Sequence, residues 1–143
     1  MAGEYLVAAQ LHRLQILASI TYGNAKSADV IAFDSNSEKA TVIEVKTSTK
    51  GHWPIGARVP EPSNKLWVFV NLPESIEETP EFYILTQEEI HNELKPDVDA
   101  YLKRYKEKHG VEYGNKPDVT SMKLKYAENY KNRWSTITSA IST

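Results

Sequence analysis

The sequence predicts an α/β domain, a central mixed β-sheet flanked by helices. Three observations carry that expectation. Residues 4–18 place apolar side chains at helical spacing. Residues 28–33 and 41–47 are β-branched runs on either side of a turn. Two further strand-like runs follow a loop and lead into helical segments, an order that suits a mixed sheet covered by helices. The chain has 143 residues, which suits one domain spanning 1–143, and its 41% hydrophobic content is enough for a core.

Along the first helix, Val7, Leu11, Leu14 and Ala18 form a stripe that Glu4 begins. A short strand is expected near Ile20–Tyr22. Ala28–Phe33 and Thr41–Thr47 read as strands, and Asp34-Ser35-Asn36-Ser37 between them is turn chemistry, so the two should form a hairpin. Residues 48–65 contain Gly51, Pro54, Gly56, Pro60 and Pro62 and read as a loop. Leu66–Leu72 and Phe82–Leu85 are strands. Thr86 with Glu89 three residues on reads as a capping box, starting a helix that ends before Pro96. A further helix runs from Asp97 to about Lys108 and stops at Gly110. Residues 110–121 read as loop. Tyr126–Ile137 reads as a last helix, with Tyr126, Tyr130, Trp134 and Ile137 on one face as core or dimer contacts.

Composition excludes several functions. The chain has no cysteine, so disulfides, thiolate zinc sites and a cysteine nucleophile are absent. Glu4, Gln10, His12, Arg13 and Gln15 break any apolar run near the N-terminus, and no stretch approaches a membrane span. A soluble, cytoplasmic protein is expected. His12, His91 and His109 lack zinc-ligand spacing, and neither a phosphate-cradling glycine loop nor a nucleophilic serine elbow is present. The net charge of −2 is low for a duplex binder, but it is unevenly spread. Glu74, Glu77, Glu78, Glu81, Glu88, Glu89 and Glu93 lie in a stretch without lysine or arginine, and the remainder of the chain is mildly basic.

The candidate chemistry lies in the hairpin. Side chains alternate along a strand, so Glu44 and Lys46 share a face, about 7 Å apart at Cα, while Ile43 and Val45 point into packing. A turn centred between Asn36 and Ser37 sets Asp29 opposite Glu44. Two facing carboxylates repel and need a positive partner. Lys46 is one candidate, and a divalent cation, magnesium or manganese, is the other. Glu4, at the end of the core-facing stripe, adds a further acid, whose plainer role is to offset the helix dipole. Such a set suits phosphodiester hydrolysis: a metal neutralises phosphate charge and activates water, and a nearby cation positions that water or stabilises the transition state.

With Gly3-Glu4, Ala28-Asp29-Val30 and Glu44-Val45-Lys46-Thr47-Ser48 in place, the sequence resembles the PD-(D/E)XK superfamily, which includes restriction endonucleases and archaeal Holliday junction resolvases. Trp53, Leu66–Leu72, Phe82-Tyr83-Ile84, Glu88-Glu89 and Trp134 extend the resemblance to a bacterial subgroup of small stand-alone members. The resemblance implies a restriction endonuclease-like fold. It implies that Asp29, Glu44 and the Val45 carbonyl bind Mg2+ or Mn2+, that Lys46 is the catalytic lysine and that Glu4 is an accessory acid. Ala28 stands where the family name has proline, a tolerated variation. The Pro/Gly-rich segment 48–65 replaces the helix that often follows the catalytic strand.

Lys50, His52, Trp53, Arg58 and Lys65 in that segment are candidates to grip a phosphate backbone and stack on a base, although Trp53 could instead pack on the sheet. The leading expectation is a magnesium-dependent endonuclease acting on DNA. The alternative is a catalytically silent, nuclease-like scaffold that binds nucleic acid or a protein partner. No membrane partner is expected, and a homodimer is compatible with the sequence.

Overall fold

The computed structural model describes residues 1–21, 29–36, 38–112 and 120–142. Helix α1 spans Ala2–Arg13 and is followed by β1 (Leu17–Ile20), β2 (Asp29–Phe33), β3 (Ala40–Ser48), β4 (His52–Gly56), β5 (Leu66–Asn71) and β6 (Glu81–Thr86). Helix α2 (Gln87–His109), β7 (Thr120–Lys123), α3 (Leu124–Ala127), a 3-10 turn (Glu128–Tyr130) and α4 (Ser135–Ser142) complete the chain.

Among the described residues, five strands form one mixed sheet in the order β1-β2-β3-β5-β6, in which β3–β5 is the parallel pair. Strands β4 and β7 form a separate antiparallel pair. The expected α/β class with a mixed sheet and flanking helices is therefore present. Among the described residues no helix is long and apolar enough to cross a membrane.

Alternation along the central strands divides the core in two. Val30, Ile43, Val45, Leu66, Val68, Val70 and Ile84 pack with Val7 and Leu11 of α1 and Ile137 and Ile141 of α4. Trp67, Phe69, Tyr83 and Leu85 pack with Trp53 of β4, Met122 of β7 and Ile90 and Leu94 of α2. Glu44 and Lys46 pair with Trp67 and Phe69 across the parallel ladder, so they stand on that second face. They lie toward the β2 side of it.

The sequence reading needs correction at five elements. The helix expected over 4–18 ends at Arg13: Gln15 takes a φ of 63°, and the chain reverses into β1, which pairs with β2. Ladder formation there outweighs the helical spacing, leaving Leu14 exposed and Ala18 in a strand. The strand expected near Ile20–Tyr22 is thus Leu17–Ile20, and Tyr22 lies outside the described residues.

The 48–65 loop contains β4. Pro54 is tolerated in it because the β4–β7 register shifts between Pro54 and Gly56. The two helices expected on either side of Pro96 are one helix, α2, with Pro96 inside it at an exposed position. Its ends match expectation: a Thr86/Glu89 capping box opens it, and Gly110 closes it at a φ of 69°.

The last helix expected over 126–137 is broken, because its stripe serves two cores. Tyr126 and Tyr130 pack with the cluster around Trp53, whereas Trp134 and Ile137 belong to the cluster around α1. The chain crosses the edge of β6 between them, through a Tyr83–Lys131 bridge and an Asn132 N–H donated to the Phe82 carbonyl.

Candidate active site

The β2–β3 ladder places Asp29 directly opposite Glu44, as the turn arithmetic requires. Backbone hydrogen bonds hold Asp29 without using its carboxylate. Its N–H donates to Thr21 Oγ1 at 3.1 Å, and its carbonyl accepts from Thr21 N at 2.8 Å and Thr21 Oγ1 at 3.1 Å. Asp29 Oδ1 is buried and has no hydrogen-bond partner.

Glu44 is the opposite case. Lys46 Nζ lies 3.2 Å from its Oε1, and Lys65 Nζ lies 2.6 Å from its Oε2. Both carboxylate oxygens are therefore taken by ammonium groups. Lys46 is on the same strand face, two residues on, and Lys65 enters from the segment before β5.

The electrostatics follow this asymmetry. Burial, and then the charge of Glu44 opposite, push the Asp29 carboxyl above its usual range, with a smaller push from Glu4; Lys65 and Lys46 pull against them. Burial also pushes Glu44 up, but hydrogen bonds and charge from Lys65 and Lys46 outweigh it and hold Glu44 below its usual range.

Glu4 is buried on α1, as its place on the stripe predicts. Its Oε2 lies 3.2 Å from the Met1 amino group but makes no hydrogen bond. Gly3 sets how closely α1 packs on β3. A Cβ added there would meet Thr47 Oγ1 at 1.9 Å, so only glycine lets the first turn rest on this strand without displacing Thr47.

The 60–65 segment is tied to the start of α2. Gln87 N–H donates to the Lys65 carbonyl at 2.8 Å, Glu88 N–H to Ser63 at 2.9 Å, and Gln87 Nε2 to Glu61 at 2.7 Å. His91 Nδ1 lies 3.0 Å from the Pro60 carbonyl. The first turn of a helix has backbone donors without intrahelical partners, and here two of them hold this segment. Lys65 Nζ also sits 5.1 Å from the centre of the Trp67 ring, whose Nε1 donates to Gln87 Oε1.

Of the residues expected to grip nucleic acid, Lys50, His52, Arg58 and Lys65 are exposed. Trp53 is a correction. It is fully buried, its Nε1 donates to the Val70 carbonyl at 3.0 Å, and its ring packs on Phe69 and Tyr83. Burial against the sheet leaves no face for a base.

Thr21 and the pairing of Lys65 with Glu44 were not legible in the sequence. The sequence marks Lys65 as a candidate phosphate contact but not as a partner of Glu44.

The Asp29 and Glu44 carboxylates and the Val45 carbonyl are hard oxygen donors, the type a divalent cation takes, and Asp29 Oδ1 lacks a partner. Among the described residues, no group of three or more His, Cys, Asp or Glu side chains is placed to hold a metal ion. No family model, curated protein or solved structure matches the chain.

Proposed function

We propose that this chain is a metal-dependent endonuclease of the PD-(D/E)XK type, with a restriction endonuclease-like fold, that hydrolyses phosphodiester bonds in DNA. The observation that carries the reading is the pairing of Asp29 with Glu44, with Lys46 on the same face and one buried Asp29 oxygen left without a partner. Asp29, Glu44 and the Val45 carbonyl would hold Mg2+ or Mn2+. When bound there, such an ion would supply positive charge for the phosphate and would lower the pKa of an attacking water. Lys46 orients that water and offsets charge that builds on the phosphate as the water adds and the P–O bond breaks. Glu4, whose charge also pushes the Asp29 carboxyl up, would act as an accessory acid that adds to the local demand for a cation. Lys50, His52, Arg58 and Lys65 offer positive or hydrogen-bonding contacts to the backbone.

One observation favours a second reading. Glu44 already has an ammonium group on each oxygen, so its charge is offset by the protein itself. A catalytically silent scaffold that binds nucleic acid or a protein partner would need nothing more.

Cleavage separates the two. Branched, single-stranded and linear duplex DNA are incubated with magnesium and either wild type or Lys46→Ala. The enzyme reading expects cleavage by wild type and a loss of about 10²-fold or more in the variant, the scale for removing one transition-state donor. Equal activity in the two would assign cleavage elsewhere.

A further inference from the structure

We propose that Lys65 is a second active-site cation, which holds Glu44 in the metal-free protein and moves to a substrate phosphate when a divalent ion takes that carboxylate. The inference rests on the metal-dependent reading of the site. Its basis is the contact of 2.6 Å between Lys65 Nζ and Glu44 Oε2, shorter than that of Lys46. A divalent ion at Glu44 and the Lys65 ammonium compete for the same carboxylate charge, so an ion that binds there weakens the hold of Lys65.

The surroundings of Lys65 suit a side chain that moves while its backbone stays. Its carbonyl accepts from Gln87 N–H, its N–H donates to Ser63 Oγ at 3.2 Å, and Ser63 is held by Glu88. The side chain is 43% exposed, so its ammonium group is at the mouth of the site and not sealed within it. The Trp67 ring lies beneath it as a cation-tolerant surface. Once displaced, Lys65 meets the negative charge that the ion also attracts, a phosphodiester oxygen. Lys46 differs, because it stands on β3 itself and keeps its place beside Glu44.

The test uses Lys65→Met, which keeps the apolar stem over Trp67 and removes the charge. Manganese affinity is read without DNA from the electron paramagnetic resonance signal of the free ion. The variant should bind manganese about tenfold more tightly than wild type, the order expected for removing one nearby charge in a half-exposed site. Lys50→Met, which removes a charge that makes no contact with Glu44, should leave the affinity unchanged. In calcium, the Lys65→Met protein should bind a short DNA duplex more weakly than wild type. Equal manganese affinity in wild type and Lys65→Met would overturn the inference while leaving the metal site standing. Tighter manganese binding with unchanged DNA binding would overturn the transfer to phosphate. Absence of manganese binding in both proteins would remove the metal reading, and Lys65's role with it.

Discussion

Asp29 and Glu44 face each other across the β2–β3 ladder, but the protein neutralises only one of them. Glu44 has a lysine on each oxygen, and Asp29 Oδ1 is buried with none. Two neighbouring carboxylates are thus driven in opposite directions, Asp29 toward its neutral form and Glu44 toward its charged form.

Opposite stability effects should follow in metal-free protein. A raised carboxyl pKa means that the folded state binds its proton more tightly than the unfolded state. The stabilisation from Asp29 is present at low pH and is lost as the pH rises through its folded pKa. Asp29→Asn should therefore be more stable than wild type at neutral pH, by about 0.5 kcal/mol, the scale for opposed like charges on neighbouring strands. The gap should close in acid. Glu44 has the reverse sign: its contribution is present above its unfolded pKa and is lost as the pH falls through its lowered folded value. Glu44→Gln should be less stable than wild type at neutral pH and should converge with it in acid. Urea melts at neutral and acidic pH measure both. Stabilisation by Glu44→Gln at neutral pH would contradict the two-lysine geometry.

Gly3 sets the approach of α1 to β3. Replacing an exposed helical glycine with alanine ordinarily gains up to about 1 kcal/mol. Here the added Cβ lies 1.9 Å from Thr47 Oγ1 and 3.2 Å from Thr47 Cβ. Gly3→Ala should instead cost about 1 kcal/mol or more, as overpacking does. In a Thr47→Ala background the same change should become neutral or stabilising. Thermal melts of the four proteins would complete the cycle. A full propensity gain from Gly3→Ala alone would show that Thr47 moves aside freely.

Trp53 and its exposed neighbours should separate cleanly. Trp53→Ala removes a fully buried ring and its hydrogen bond to Val70, so it should cost about 3–5 kcal/mol of stability. Lys50→Ala and Arg58→Ala should leave stability nearly unchanged. Each should reduce the salt dependence of DNA binding by about 0.9 in the log–log slope if it contacts a duplex phosphate. A salt slope identical to wild type in both would remove this surface from the nucleic-acid interface.

How much was readable in advance depended on the range of the determining interactions. The Asp29–Glu44 pairing was legible, because one short turn fixes the register of a hairpin. The common face of Glu44 and Lys46 was legible from alternation, and the ends of α2 from Thr86, Glu89 and Gly110. What failed depended on distant partners. Leu17–Ile20 is a strand because β2 is beside it, and His52–Gly56 because β7 is. Tyr126 and Trp134 share a helical period in sequence yet serve opposite faces of the sheet. Lys65 reaches Glu44 only through the parallel β3–β5 pairing, which joins segments more than twenty residues apart.

The most direct test of the central claim is a calorimetric titration of manganese into wild type and Glu44→Ala. A ligand that binds only the folded state also raises its stability, by about 2.7 kcal/mol at a hundredfold excess over Kd, so the melting temperature gives an independent check. A metallonuclease site at Asp29 and Glu44 predicts binding at millimolar manganese or below, a higher melting temperature, and loss of both in Glu44→Ala. No binding by wild type, with or without DNA, would contradict the account and leave the silent scaffold as the reading. Binding that survives Glu44→Ala would place the metal elsewhere, with the acidic 74–93 segment the first place to look.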